Sequence, residues 1–357
     1  MQPAIIGWDI GGAHVKAALL DAQGVVQQIC LEPCLLWRGL EQLNQVVTLV
    51  MAALATKQAK HVITMTGELV DCFANREAGV QQIIAVMVQL LPAETVHIFA
   101  GTDGFLPAGQ VKPAHTTAIA SANWLATARY VAAQQQQGVL IDIGSTTTDI
   151  LVFKEGRVQA VGFSDYQRLI SGELVYTGII RTAVMAIAQH AFFNGQQQGL
   201  MAEYFATMAD VYRITGELQE THDHTATADG AEKTVLASAR RLSRLTGYDF
   251  KPEEMALWQE FAQTLRAQQL ELIKANVARQ LARDLLPEQS CFIGAGAGRF
   301  LVRELAQQLG YEYRDFDELI TIAPYPSSPR ERESKAQTAA DCAPAVAVAL
   351  LFASTPR

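Results

Sequence analysis

Short apolar runs ending at glycine alternate along this chain with longer stretches that place an apolar residue every three or four positions. That mixture predicts an α/β protein. Ile5–Ile10 and Val15–Leu20 read as strands joined by Gly11 and Gly12, with a third strand over Val25–Leu31 after the turn Asp21–Gly24. Leu40, Leu43, Val47, Val50 and Leu54 fall at helical spacing. His61–Thr66 reads as a strand running into Gly67–Asp71. A helix over Gly79–Leu91 stops before Pro92, and Thr95–Phe99 is a further strand. Ala114–Tyr130 reads as a helix or helix pair, and the polar run Gln134–Gln137 as a surface linker.

The second half starts similarly. Val139–Ile143 and Ile150–Phe153 are apolar runs flanking a glycine turn, and Arg157–Phe163 returns as a strand. The spacing from Ser171 through Gly178 predicts a helix reaching about His190, then a Gln/Gly loop over Gly195–Gly199. A polar stretch over 216–234 leads into a basic helix. A long helix covers about 253–284, and a strand enters the turn Gly294–Gly298. A helix over 299–309 follows, and a small apolar helix over about 342–353 comes last.

The two hairpins share one layout. Asp9-Ile-Gly11-Gly12 matches Asp142-Ile-Gly144-Ser145: each aspartate ends an apolar run and precedes an apolar residue and a glycine. Backbone N–H groups at such a turn can approach an anion, and the hydroxyls of Ser145, Thr146, Thr147 and Thr148 add donors. Gly11, Gly12, His14 and Gly144 complete the candidate phosphate cradle. Lys16 supplies a point charge. A carboxylate at the end of a buried strand is costly without a partner. Mg²⁺ would suit Asp9 and Asp142, because it favours carboxylates together with phosphate oxygens. Asp149 is a further carboxylate beside the second turn. Unrelated Asp-Gly hairpins are the plainer reading, but the match extends into the flanking strands. Two copies more than a hundred residues apart predict two similar lobes around a cleft.

Size and charge narrow the field. The 357 residues suit two domains. The net charge of −8 and the lack of a basic stripe with interleaved aromatics argue against nucleic acid. Five scattered cysteines without a Cys-x-x-Cys pair fit a reduced, cytoplasmic setting. A strand begins within four residues of Met1, which leaves no room for a signal peptide. No apolar run approaches the ~20 residues of a membrane helix, so no membrane partner is expected. A homo-oligomer is left open.

Other candidates are weighed against blander readings. Gly294, Gly296 and Gly298, between a strand and a helix, suit a nucleotide turn or equally close strand–helix packing. Glu68 and Asp71 are two carboxylates in a loop-to-helix region, a placement that a helix N-terminus favours by its dipole alone. Arg240, Arg241 and Arg244 reach phosphate or form a solvated face, the latter favoured. Arg181 is a candidate substrate contact. Asp229 reads as an N-cap for the basic helix. His222 and His224 flank Asp223 on a polar loop without a fourth ligand, which disfavours metal. Cys72 has no visible base.

The order hairpin, hairpin, glycine-rich turn and small-residue terminal helix resembles the sugar kinase, heat-shock chaperone and actin superfamily. This resemblance spans the chain and implies a two-lobed actin-like ATPase (ribonuclease H-like) α/β fold with a central cleft. It implies a first lobe over 1–135 and a second, carrying the glycine-rich turn, over 138–341. The terminal segment 342–357 would pack back on the first lobe. Helices beginning near Gly172 and Ala343 would be the connecting helices.

Gly7–Lys16, Thr64–Asp71, Asn123–Ala126, Gly172–Gly178 with Arg181, and Thr227–Gly230 are similar to the hydantoinase/oxoprolinase-like branch associated with tetrahydromethanopterin-linked one-carbon transfer. Members of that branch make methanofuran, or the related methylofuran. The resemblance implies a transferase that joins an aminomethyl-furanmethyl diphosphate to a phenolic acceptor, γ-glutamyltyramine or a tyrosine-type group, with release of diphosphate. Asp9, Lys16, Glu68, Asp71 and Asp142 would be its catalytic residues, with Glu68 and Asp71 the candidates for the base that takes the phenolic proton or for holding the furan amine. Mg²⁺ is the expected cofactor, with ATP not favoured. The alternatives are an ATP-dependent kinase or amidohydrolase, and a nucleotide-binding scaffold.

Overall fold

The computed structural model describes residues 3–56, 58–287, 290–323 and 337–355. The chain divides into two compact units. One comprises residues 1–140, 151–171 and 314–357, and the other residues 141–150 and 172–313.

In the first unit, β1 (Ala4–Ile10), β2 (His14–Leu20) and β3 (Val26–Pro33) form an antiparallel meander. Helix α1 (Leu40–Leu54) then carries the chain to β4 (Ala59–Met65), which lies parallel to β1. Helix α2 (Arg76–Leu90) leads to β5 (Val96–Phe99), parallel to β4, and β6 (Phe105–Pro107) closes the edge. The sheet order is β3-β2-β1-β4-β5-β6. A short helix, α3 (Thr116–Ile119), precedes α4 (Asn123–Gln134).

Ile6, Trp8 and Ile10 of β1 enter a core with Leu43 and Val47 of α1 and Val80 and Ile83 of α2. Each such fully buried side chain contributes ~1.5–3 kcal/mol relative to exposure. Strand alternation turns Gly7 and Asp9 to the opposite face. The C-terminal helix α10 (Ala343–Ser354) packs there against β1, β2, β4 and α4. Its sequence is apolar all round over Ala343–Ala349, where every residue is buried. A Cβ at Gly7 would overlap the carbonyl oxygen of Ala345, so only glycine lets α10 approach. Gly7→Ala should therefore cost ~1–3 kcal/mol by overpacking. A lowered midpoint in urea unfolding would show this, and an unchanged midpoint would contradict the packing described.

Strands β7 (Gln137–Ile143) and β8 (Thr148–Lys154) form the second hairpin, and β9 (Arg157–Val158) pairs with β8. The first unit also contains α5 (Asp165–Ser171). The second sheet has the order β10-β8-β7-β13-β14, with β10 at Leu174–Val175, β13 at Cys291–Ala295 and β14 at Glu312–Asp315. Counted from its own hairpin, each sheet places a third strand beside the second, the second beside the first, and a fourth and fifth on the first strand's far side. This repeated order is the actin-like, ribonuclease H-like arrangement.

The predicted helix from Ser171 to about His190 does not form. Leu174 and Val175 pair antiparallel with Asp149 and Thr148. Val184–Ala186 is a single 3₁₀ turn, and β11 (His190–Phe193) pairs with β12 (Gln196–Gly199) where a loop was expected. The stretch is rich in β-branched residues, Val175, Thr177, Ile179, Ile180 and Thr182, which favour extended backbone. The N–H groups of Ile179, Ile180 and Arg181 donate to Gly144 and Ser145 carbonyls, so a helix would forfeit those bonds. The helix packed beside α10 is α4.

The second unit is completed by α6 (Met208–Thr215), α7 (Val235–Thr246), α8 (Met255–Leu281) and α9 (Arg299–Leu309). All five cysteines are free, and no helix among the described residues is long and apolar enough to cross a membrane.

Candidate active site

In the first unit the chemistry gathers at the carboxyl ends of the parallel strands β1 and β4, the usual ligand edge of an open α/β sheet. The chain leaving β4 is tied to β1, because the N–H groups of Thr66 and Gly67 both donate to the Ile10 carbonyl at 3.0 and 2.9 Å. Asp9 is 4 % exposed and lies in register with Lys16 on β2 and Thr64 on β4. Lys16 Nζ stands 4.0 Å from its carboxylate, beyond hydrogen-bond reach. Asn123, at the start of α4, donates through Nδ2 to Asp9 Oδ1 at 3.4 Å. The hairpin turn closes through the Gly11 N–H, which donates to the His14 carbonyl at 2.9 Å. Gly12 lies in the same turn.

Just beyond Met65, where β4 ends, Glu68 is fully buried. Ser121 Oγ donates to Glu68 Oε1 at 2.7 Å and also lies 3.1 Å from Asp165 Oδ2. Asp165 is ion-paired to Arg76. Glu68 Oε2 is buried with no hydrogen-bond partner. Burial pushes the Glu68 carboxyl above its ordinary range, with a smaller contribution from the Asp165 charge. The Ser121 bond, its own backbone and Arg76 oppose that rise. Helix α2 begins only at Arg76 and is capped by Asn75, whose Oδ1 accepts from the Ala78 N–H, so Glu68 and Asp71 do not decorate a helix N-terminus. Asp71 is exposed to water. Beside this cluster the Arg168 guanidinium lies 4.0 Å from the Trp124 ring centroid, and Phe163 packs on Trp124.

The second unit repeats the first turn at the level of atoms. The Gly144 N–H donates to the Thr147 carbonyl at 2.9 Å, the counterpart of Gly11 and His14. The hydroxyls divide, however. Thr148 is buried and its Oγ1 donates to the Thr177 carbonyl at 2.7 Å, so it is committed to the fold and leaves the phosphate set. Ser145 Oγ is buried without a hydrogen-bond partner. Thr146 and Thr147 are half-buried, as are Asp142 and Asp149 on either side of the turn and Arg181 behind it. A Cβ at Gly178 would overlap the turn's backbone, which lets residues 178–181 brace it.

Packing accounts for the glycine-rich turn. A Cβ on Gly294 would overlap the Tyr313 ring, and one on Gly298 the Ile143 side chain. Gly296 has φ of 78°, and a Cβ there would overlap Ile143 O and Asp142 Oδ1. The turn thus sits against the strand end that carries Asp142, for reasons that need no nucleotide.

The arginine helix is structural at its centre. Arg241 is fully buried, donating to Asp210 through Nε at 2.8 Å and to Asp229 through Nη1 at 3.1 Å. Arg244 also binds Asp229, while Arg240 lies over the Phe250 ring. Asp229 is therefore an arginine anchor, and Thr234 is the N-cap of α7. Asp223, between His222 and His224, pairs with Arg213 and Lys233. Among the described residues no group of three or more His, Cys, Asp or Glu could hold a metal. Asp9 in the first hairpin and Asp142 in the second are nevertheless carboxylates of the kind Mg²⁺ takes together with several waters and phosphate oxygens.

The fold and both hairpins define an α/β protein of the actin-like class. Its likeness to acetone carboxylase in the nucleotide-free state has a TM-score of 0.53 at 9 % identity, covering 87 % of this chain and 67 % of that one. The chain belongs to the hydantoinase/oxoprolinase family, which it matches over residues 60–320. It is 32 % identical over 282 residues to the (4-{4-[2-(gamma-L-glutamylamino)ethyl]phenoxymethyl}furan-2-yl)methanamine synthase of Methanocaldococcus jannaschii, covering 78 % of this chain and 82 % of that protein. The protein of the same name in Methanococcus vannielii is 31 % identical over 107 residues, 30 % of this chain and 48 % of that protein. These relatives mark the chain as a synthase-type enzyme.

Sequence reasoning passed over Ser121, Asp165 and Arg76 and gave Asn123 no role. Ser121 lies 53 positions from Glu68 and 44 from Asp165, so no local spacing joins them.

Proposed function

We propose that the protein joins an aminomethyl-furanmethyl diphosphate to the phenol of γ-glutamyltyramine or a tyrosine-type acceptor, in methanofuran or methylofuran biosynthesis. The furanmethyl carbon–oxygen bond to diphosphate breaks, a carbon–oxygen bond to the phenol forms, and the phenolic proton leaves. The observation that carries this reading is Glu68: a buried carboxyl, raised above its ordinary range, with one oxygen lacking a partner. A phenol of pKa ~10 needs a base, and a raised carboxyl is a stronger one than a carboxylate in water.

Glu68 Oε2 accepts the phenolic proton. In the first unit the N–H groups of the Gly11–Gly12 turn and Lys16, and in the second those of the Gly144 turn with the Ser145 hydroxyl, are each suited to stabilise negative charge on diphosphate oxygens, an electrostatic contribution that reaches several kcal/mol in enzymes. Asp9 in the first unit and Asp142 in the second are each a carboxylate that would suit Mg²⁺, which would supply charge neutralisation at a diphosphate leaving group. The closely packed glycines of 294–298 favour this reading over an ATP-dependent one.

Ligand preference tests the choice. Inorganic diphosphate with Mg²⁺ should raise the melting temperature, while ATP with Mg²⁺ should yield no ADP. Steady ATP hydrolysis at a rate that supports turnover would overturn the assignment in favour of a kinase or amidohydrolase.

A further inference from the structure

We propose that Ser121 is a positioning residue, holding Glu68 by Oε1 so that Oε2 faces the acceptor hydroxyl, and that the Asp165–Arg76 pair fixes the other side of Ser121. This rests on the reading of Glu68 as the base. Ser121 is a non-glycine residue at φ of 50°, in the left-handed region that side chains avoid. Strain of that kind is retained where surrounding structure over-determines it, and at functional sites it goes with pre-organisation. Here the hydroxyl it delivers is shared between two carboxyls, 2.7 Å from Glu68 and 3.1 Å from Asp165. A hydroxyl has one proton to donate, so it serves one carboxyl at a time.

Besides its own backbone, three side chains act on Glu68: the Ser121 hydroxyl from the turn before α4, Arg76 from α2 and Asp165 from α5. The first two favour ionised Glu68, and Asp165 opposes it. The arrangement holds one oxygen of the base, while the other is buried without a hydrogen-bond partner. It also makes two substitutions act in opposite directions. Ser121→Gly removes the donor while keeping a residue that accepts positive φ. Asp165→Asn removes the opposing charge.

The test is the titration of Glu68 followed by carbon-13 NMR of glutamate-labelled full-length protein, its resonance identified by its loss in Glu68→Gln. Alongside it runs the pH dependence of kcat for ether formation. The acid limb and the Glu68 midpoint should both move up in Ser121→Gly, by about one pH unit, the scale of a hydrogen bond to a charged group. Both should move down in Asp165→Asn. Midpoints unchanged in both variants, or moved the same way, would overturn the proposal. Should the wild type form no ether, the NMR midpoints still decide the role of Ser121, while the proposed reaction alone fails.

Discussion

Glu68→Gln should lower kcat for ether formation by ~10²–10⁴, the usual contribution of a positioned base, and should also make the protein more resistant to unfolding at neutral pH. The two effects share one cause. Glu68 is buried, and burial raises its carboxyl above the ordinary value of 4.5. A group raised on folding adds stability that is complete below its unfolded value and is lost as pH climbs through the folded one. Above that value the wild type holds a charge that folding disfavours. Glutamine has the same shape and no charge to desolvate. The variant should therefore match the wild type in acid and melt higher above the folded midpoint, which thermal unfolding across pH would show. Loss of activity with a gain in stability is the mark of a site kept for chemistry at a cost to the fold. A variant that melts lower at every pH would make Glu68 a structural residue instead.

Asp142→Asn should abolish turnover while leaving the fold intact. The side chain sits at the end of β7, with Gly296 pressed against it, and asparagine keeps the volume that this packing requires. What is lost is the negative charge that would hold Mg²⁺ at the leaving group. Removing one such electrostatic contact costs ~10²–10³ in kcat, and losing the metal with it costs more. An unchanged circular dichroism spectrum with absent product is the expected result. Wild-type rates would show that this hairpin takes no part in the reaction.

Much of the fold was legible because its defining unit is local. The strand, aspartate, glycine turn and returning strand run over Ala4–Leu20 and over Gln137–Lys154, short enough for both copies to be read directly. The structure bears the pattern out to the bond that closes each turn, Gly11 to His14 and Gly144 to Thr147. The segment after Gly172 was not legible. Its apolar spacing suits a helix, yet its N–H groups bind the Gly144–Ser145 turn, a contact that periodicity does not encode. The basic helix misled in the same way: Arg241 reads as a surface charge until Asp210 and Asp229 are brought to it. Thr148 looked like its neighbours in the hydroxyl run, but strand alternation turns it inward to Thr177. At the candidate base, sequence offered Glu68 and Asp71 equally, and burial separated them. Their environment could not be read at all, because Ser121, Asp165 and Arg76 reach Glu68 only through tertiary packing.

The most direct measurement is product formation. The protein is mixed with aminomethyl-furanmethyl diphosphate, γ-glutamyltyramine or a tyrosine analogue, and Mg²⁺, without ATP, and the mixture is analysed by mass spectrometry. The predicted result is the aryl ether together with one equivalent of diphosphate. No ether with either acceptor, or ether formed only when ATP is added, would contradict it.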